Sequence, residues 1–403
     1  WSSDVCSSDL LGSEELLKKA LDSTLLEGDG EVRFRHQLFQ EYFTARALQG
    51  RLGEIPAMEF WPREKWWERS GWEETAVLLA GLHAGDCTGV IRWLAEAQPE
   101  VAAQCILESG AEIADRPGLL GELQAAWLPR LTDMELEPSP EGRAAIGRAL
   151  GRLDLDRRKG VWVDEKGVPE IDWVEIPGGE FVYQGGERRL IETFLIARYP
   201  VTNRQFQTFL DAEDGYRNDR WWKGMTNPDR TPVAGSWTEG NHPRERVSWW
   251  EAMAFCGWLG HKLGRDVRLP TEWEWERAAR GTEGRVYPWG DEYRTGYANI
   301  NETYQDAGSH SLGRTSAVGL YPEGASAEGV LDLSGNVWEW CLNEYEKPDR
   351  VQAGGQESRV LRGGSWGYDL DHARARYRGY VHRNLRDNDI GFRVVCGAPS
   401  AEH

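Results

Sequence analysis

The chain has 403 residues, of which 40% are hydrophobic, and a formal net charge of -19 at pH 7. A chain of this length can form more than one domain without disulfides to stabilise the cores. The negative charge disfavours nucleic acid and anionic membrane surfaces as partners. No apolar run approaches the length of a membrane span and no charged-then-apolar leader opens the sequence, which together predict a cytoplasmic protein.

The beginning of the chain and its cysteines contribute little to the fold prediction. Residues 1–10 (WSSDVCSSDL) resemble a translated sequencing adapter and are excluded from it. The cysteines are scattered without a CxxC pair, which is typical of free buried thiols and argues against a zinc knuckle or a disulfide framework. They are Cys6, Cys87, Cys105, Cys256, Cys341 and Cys396.

Residues 11–165 are predicted to form an all-helical segment. Apolar positions recur three and four apart in four stretches, 14–26, 34–48, 73–82 and 90–97. The stretches 34–48 and 61–82 resemble the helical region that follows the nucleotide-binding core of NACHT/STAND-type signal-transducing NTPases. The signature residues of that region would be His36, Glu41, Tyr42 and Phe43. Because the sequence contains no GxxxxGK[ST] phosphate loop, the resemblance implies an NTPase core upstream of this sequence.

The sequence pattern changes between residues 138 and 166, where turn-forming and polar residues flank a short Arg-rich helix. This change predicts a domain boundary near residue 165. Beyond it, strand-like runs at 173–176, 180–183 and 193–197 alternate with Gly-rich turns. Three helix starts are marked by capping boxes, in which a hydroxyl residue precedes Glu or Gln by three positions. The pairs are Thr202 with Gln205, Ser248 with Glu251, and Thr271 with Glu274.

Eight sequence blocks then follow in order between residues 173 and 395. They read WVEIPGGEFVYQG, RYPVTNRQFQTFL, HPRERVSWWEAMAFCGWL, RLPTEWEWERAARG, YPWGDE, GNVWEW, RVLRGGSW and IGFRVV. This series resembles the formylglycine-generating enzyme family, also called the sulfatase-modifying factor family. The resemblance implies that residues 166–398 adopt a C-type-lectin-like fold with little regular secondary structure. The fold class predicted for the whole chain is therefore α+β.

The resemblance also implies that the family's oxidation chemistry is absent. Enzymes of this family oxidise a cysteine of a client sulfatase with a copper ion held by two thiolates in the pattern RGGSxxCxxxxC. Tyr368 and Ala373 stand at the two cysteine positions. Because copper(I) needs soft sulfur ligands, no copper is expected. A related branch builds ergothioneine-type sulfur bonds with iron bound by an HxxxHxE helix, and the eight histidines show no such spacing.

A structural calcium ion is also implied by the resemblance, at the loop containing GNVWEW. Its ligands would be the carboxylates of Asp332 and Glu339 and the carbonyls of Gly335 and Val337, a hard-oxygen set. A second calcium site would begin at Asn299 and Ile300, with either Glu302 or Asp306 as its acidic ligand. The alternative is that Asp332 and Glu339 cap turns through backbone N–H groups.

The segment 367–389, between RGGSW and IGFR, has an unusual composition. It contains no Lys, Glu, Gln, Met or Trp, the types that an asparagine codon cannot reach by changes at its adenines. In this respect it resembles the variable region of diversity-generating retroelement proteins. Its Tyr, Asp, Asn, Gly and Arg are also typical of antibody-like binding surfaces. The candidate ligand-binding residues are Trp366, Gly367, Tyr368, Asp369, Asp371, His372, Tyr377, Gly379, Tyr380, His382, Asn384, Asp387, Asn388 and Asp389.

Two functions from different classes follow from these observations. The first is a ligand-recognition module, diversified by a retroelement and fused to a signal-transducing NTPase, that binds a protein or other macromolecule. The second is a formylglycine-generating or related oxidase. The first makes the chain a non-enzyme. The alternative for segment 367–389 is a polar surface loop in which Arg374, Arg376 and Arg378 form structural ion pairs.

Overall fold

The computed structural model describes residues 36–226, 228–353 and 357–397, together with the backbone of Leu26–Glu27 and Arg33–Phe34. The chain divides into two compact units, with the division after Trp127. The predicted adapter segment 1–10 lies outside the described residues, as does the helix predicted over 14–26 apart from Leu26.

The first unit is built mainly of helices, as predicted. They are α1 (Gln37–Leu48), α2 (Glu73–Leu82), α3 (Thr88–Ala95), α4 (Pro99–Glu108) and α5 (Arg116–Thr132), the last of which contains the division. Apolar residues such as Leu79, Val90 and Leu94 are fully buried along these helices. The prediction of an all-helical segment is wrong at two short runs, because the extended backbone of β1 (Leu26–Glu27) pairs antiparallel with β2 (Arg33–Phe34).

The second unit contains the α-helix α6 (Pro140–Arg152), three later α-helices and mixed β-sheets, so the α+β class is confirmed. One four-stranded sheet has the order β3-β6-β12-β7 and the other the order β10-β9-β8-β11, while β4 and β5 form a separate hairpin. The strands are β3 (Trp173–Ile176), β4 (Gly179–Tyr183), β5 (Glu187–Ile191), β6 (Phe194–Ala197), β7 (Val267–Arg268), β8 (Trp338–Glu344), β9 (Arg359–Arg362), β10 (Gly379–Val381), β11 (Ile390–Gly391) and β12 (Val395–Gly397).

All three predicted capping boxes are confirmed, because each has both reciprocal bonds. They begin α7 (Asn203–Asp211), α8 (Trp249–Leu263) and α9 (Glu272–Arg280). At α8, for example, the Ser248 N–H donates to the Glu251 carboxylate at 2.8 Å. Satisfying the first backbone donors in this way fixes where each helix starts.

Aromatic side chains fill the larger core of the second unit, between α7, α8 and the sheet strands. Phe206 stacks on Phe255 with ring centroids 5.6 Å apart, and Phe255 meets Phe392 edge-on at 5.4 Å. Trp249 and Trp340 are fully buried in the same cluster. The predicted free, buried thiols are confirmed for the five cysteines after Cys6, which lies outside the described residues. This core packs against one face of the sheet β10-β9-β8-β11, which carries the candidate site.

Candidate ligand-binding surface

The segment 367–389 leaves and rejoins the sheet at fixed points. Just after β9, Gly364 has a φ of 73°, and a Cβ there would lie 3.0 Å from the carbonyl oxygen of His372. Glycine adopts this backbone conformation without a steric penalty. The buried Ser365 hydroxyl donates to the Asp389 carboxylate at 2.8 Å. The Ser365–Asp389 bond joins the chain just before the segment to the segment's last residue, independently of most side chains between them.

A buried ion-pair network supports the middle of the segment. The carboxylate of Glu276 pairs with the guanidinium groups of Arg280 and Arg362, and all three side chains are buried. Arg362 also donates to the carbonyl oxygens of Ala375 at 3.0 Å and Arg376 at 3.3 Å. Because these groups are shielded from water, the network holds the backbone at 375–376 rigidly.

Three side chains of the segment form an aromatic cluster above Trp338 of β8. The ring of His372 lies 4.8 Å from that of Tyr368 and 4.6 Å from that of Tyr377. Trp338 meets Tyr368 edge-on at 5.4 Å. Tyr368 is 41% exposed and Tyr377 is 37% exposed. Aromatic contacts of this kind favour fixed ring positions, so the cluster presents rigid apolar area to solvent.

The strand β10 carries the most exposed tyrosine of the segment. Tyr380 is 56% exposed, and its ring centroid lies 4.2 Å from that of Tyr345. On the same ring of Tyr345 lies the guanidinium of Arg378, 4.7 Å from the centroid. Arg378 also pairs with the Glu272 carboxylate through two bonds of 2.7 and 3.0 Å. Arg378 thus forms a structural ion pair, as the alternative for this segment predicted.

The predicted binding residues differ in how far they reach solvent. The exposed ones are Gly367, Tyr368, Asp371, Tyr377, Tyr380, His382, Asn384 and Asp387. The partly exposed ones are Trp366, His372, Gly379, Asn388 and Asp389. Asp369 is buried, and its carboxylate accepts a bond from the His372 ring at 2.6 Å and from the N–H of Asp371 at 3.1 Å. Asp369 therefore caps a turn and does not reach solvent.

The two positions that correspond to the copper ligands do not fit that ion. Tyr368 is exposed, whereas Ala373 is fully buried beside Tyr287, Ala298 and Ile300. The described cysteines are all buried. Burial raises the pKa of the Cys341 thiol well above its ordinary value, so a thiolate there is disfavoured.

The carboxylate of Glu339 is already engaged. Its two oxygens accept from Arg393 at 2.6 and 2.7 Å, and one also accepts from the indole N–H of Trp275 at 2.8 Å. Arg393 reaches the carbonyl oxygen of Asp332 at 3.2 Å as well. As placed, this carboxylate does not fit a calcium ligand, because a guanidinium neutralises it.

The other predicted calcium ligands make mostly backbone contacts. The Asp332 carboxylate accepts from the Gly319 N–H at 2.7 Å, and burial raises its pKa to about 6. The carbonyl of Asn299 accepts from Asn336, and Gly335 pairs with Asn299 in an isolated bridge. Ile300 is buried, as is Val337. Within the described residues, no group of three or more His, Cys, Asp and Glu could hold a metal. Calcium binding stays a prediction.

Two residues beside the segment were missed by the sequence analysis. Gln184 donates to the Arg376 carbonyl oxygen at 3.0 Å and to Glu276 at 2.5 Å. Tyr345 supports Tyr380, as described above. Gln184 lies in the first of the eight sequence blocks but precedes its contact by almost two hundred positions, and Tyr345 lies outside the blocks, so no sequence signal could have placed them here.

Comparisons with known proteins agree with this architecture. The family model described as "Sulfatase-modifying factor enzyme 1-like domain" matches residues 162–398. Hercynine oxygenase of Mycobacterium tuberculosis is 35% identical over 240 residues, which cover 51% of this chain and 53% of that protein. The chain thus spans about half the length of that relative. The inactive C-alpha-formylglycine-generating enzyme 2 of Bos taurus is 30% identical, with 60% of this chain and 94% of that protein covered.

Solved structures also resemble the chain. Treponema denticola variable protein 1 aligns at 23% sequence identity with a TM-score of 0.43 and covers 57% of this chain and 96% of that one. Within the described residues, no helix is long and apolar enough to cross a membrane.

Proposed function

We propose that this chain, which belongs to the sulfatase-modifying factor family, is a ligand-recognition protein whose binding surface is segment 367–389. The observation that carries the proposal is the set of half-exposed rings at Tyr368, Tyr377 and Tyr380, held over a buried network. Rigid tyrosines give large contact area at low entropic cost. The ligand is a protein or other macromolecule.

The composition of the segment supports a further step of the proposal, that it is diversified by a retroelement. The adjoining DNA should then contain a reverse transcriptase gene and a near-copy of the coding segment with adenines at the mismatches. The helical first unit would belong to a NACHT/STAND-type NTPase with its core upstream, which full-length sequencing of the gene can test. A cytoplasmic location is part of the same proposal.

The test of recognition uses a random peptide library displayed on phage and panned against the immobilised protein. Replacing Tyr368, Tyr377 and Tyr380 together by serine should weaken the selected peptide at least tenfold, because one buried anchor contributes about 2 kcal/mol or more. Leu136→Ser is the matched control, since Leu136 is 55% exposed and lies outside the segment. Unchanged affinity in the triple variant, with an unchanged melting temperature, would refute the proposal.

An oxidase of the same family is the second candidate, favoured by the identity to hercynine oxygenase. Against it stand Tyr368 and Ala373 at the thiolate positions. Incubation with copper(I), oxygen, a thiol reductant and a cysteine peptide from a sulfatase, followed by mass spectrometry, separates the two candidates. Conversion of the cysteine to formylglycine by the protein would establish the oxidase, while a peptide that remains unmodified supports recognition alone.

A further inference from the structure

An open cavity of about 500 Å³ borders the proposed binding surface. It combines three cationic side chains with two tyrosines and one carboxylate. These are Arg374, Arg376, Arg378, Tyr345, Tyr377 and Asp371. The formal charge of the lining is positive, although the whole chain carries -19. A ligand attracted here must therefore be drawn by local groups and not by the overall field.

The three arginines differ in how far their charge is compensated. Arg378 is neutralised by its two bonds to Glu272. Arg374 pairs with Asp371 at 2.9 Å, but the side chain of Asp371 is 50% exposed, and such pairs contribute little. The Nε of Arg374 is buried and has no hydrogen-bond partner among the described residues. Arg374 also hydrogen-bonds the side chain of Tyr287, so its charge is partly compensated.

Arg376 is the cation with the least compensation. Its side chain is exposed, and its guanidinium makes no hydrogen bond or ion pair with any described residue. Its backbone, by contrast, is fixed, because its carbonyl oxygen accepts from Gln184 at 3.0 Å and from the buried Arg362 at 3.3 Å. Because the backbone at Arg376 is already held, binding of an anionic partner costs less conformational entropy there than it would on a mobile loop.

We propose that this cavity binds carboxylate side chains of an acidic peptide segment, with Arg376 and Arg374 as the anchors. The planar guanidinium of Arg376 can bind a carboxylate through two parallel bonds, and Arg374 adds a second positive charge beside it. Tyr345 and Tyr377 add aromatic walls, which a peptide can cover and a lone inorganic anion cannot use. The inference rests on the proposed recognition function and names the chemistry of the ligand.

The probe is a fluorescein-labelled hexaglutamate peptide, followed by fluorescence anisotropy, with hexalysine as the charge-reversed peptide. Hexaglutamate should bind and hexalysine should not, and added salt should weaken the binding. Arg376→Ala should weaken hexaglutamate binding about tenfold, because the substitution removes a charge-assisted hydrogen-bond donor from the cavity. Arg217→Ala is the matched control, since Arg217 is exposed and does not line the cavity.

Three outcomes would overturn the inference. The first is hexaglutamate binding that Arg376→Ala and Arg374→Ala leave unchanged, and the second is equal binding of hexalysine. The third is displacement of the peptide by inorganic phosphate at concentrations near the Kd of the peptide, which would indicate a general anion site. A melting curve of each variant checks the fold. If library-selected peptides still depend on the three tyrosines while hexaglutamate fails to bind, the recognition proposal stands and this inference is wrong.

Discussion

Replacing Glu339 by glutamine should destabilise the second unit strongly and to the same extent with and without calcium. The carboxylate is fully buried and accepts two bonds from Arg393 and one from Trp275. The amide keeps the shape but removes the charge. The guanidinium of Arg393, itself fully buried, then has no neutralising partner in direct contact.

The size of the effect follows from the burial of both partners. Breaking a buried ion pair from one side costs about 3–5 kcal/mol, and for a unit of this size 1 kcal/mol shifts the melting temperature by about 2–4 °C, so the expected loss is roughly 6–20 °C. Neither partner reaches water to recover the lost solvation. Calcium does not enter this estimate, because Arg393 already neutralises the carboxylate.

The assay is differential scanning calorimetry of both proteins in excess Ca²⁺ and in excess chelator. Glu346→Gln serves as the matched control, since Glu346 is exposed on the loop after β8, and it should leave the melting temperature unchanged. A loss of stability that appears only in Ca²⁺ would refute this reasoning and support the calcium ligand that the sequence predicted. A Glu339→Gln protein as stable as the parent would refute the buried ion pair.

Three further predictions concern metal and protons. Titration with copper(I) against a chromophoric chelator should show no stoichiometric uptake, because Tyr368 and Ala373 replace the thiolates; tight uptake would contradict this. Burial raises the pKa of Asp332 to about 6, so ionisation of this carboxyl lowers the free energy of unfolding as pH rises from about 4 to 6. The change in melting temperature that Asp332→Asn causes, relative to the parent protein, should therefore be more favourable at pH 7 than at pH 4. The 2.8 Å bond to Glu141 raises the pKa of His310, so this pair stabilises the fold at low pH and the stabilisation is lost as pH rises through the raised pKa. His310→Gln should therefore lower the melting temperature more at pH 5.5 than at pH 9, and equal shifts at the two pH values would exclude the pair.

The sequence was most informative where structure is local. The hydroxyl of Ser248 and the carboxylate of Glu251 lie three residues apart, and this spacing is sufficient to predict the start of α8. The role of Glu339 was not predictable, because Arg393 lies 54 positions later and nothing in the sequence pairs them. Asp369 shows a second reason why a site residue could not be predicted from the sequence. Its type suits a binding surface, and only its bond to His372 shows that it caps a turn.

Burial within segment 367–389 limits which positions a diversified segment could vary. Tyr368, Tyr377 and Tyr380 are substantially exposed, so exchanges there cost less stability than exchanges in the core. Ala373 and Ala375 are fully buried against apolar neighbours, where added atoms cost about 1–3 kcal/mol and a polar group without a partner costs more. Adenine-directed exchange at 373 or 375 would therefore unfold many variants. A functional template should specify these two alanines with codons free of adenine and concentrate its adenines at the exposed tyrosines.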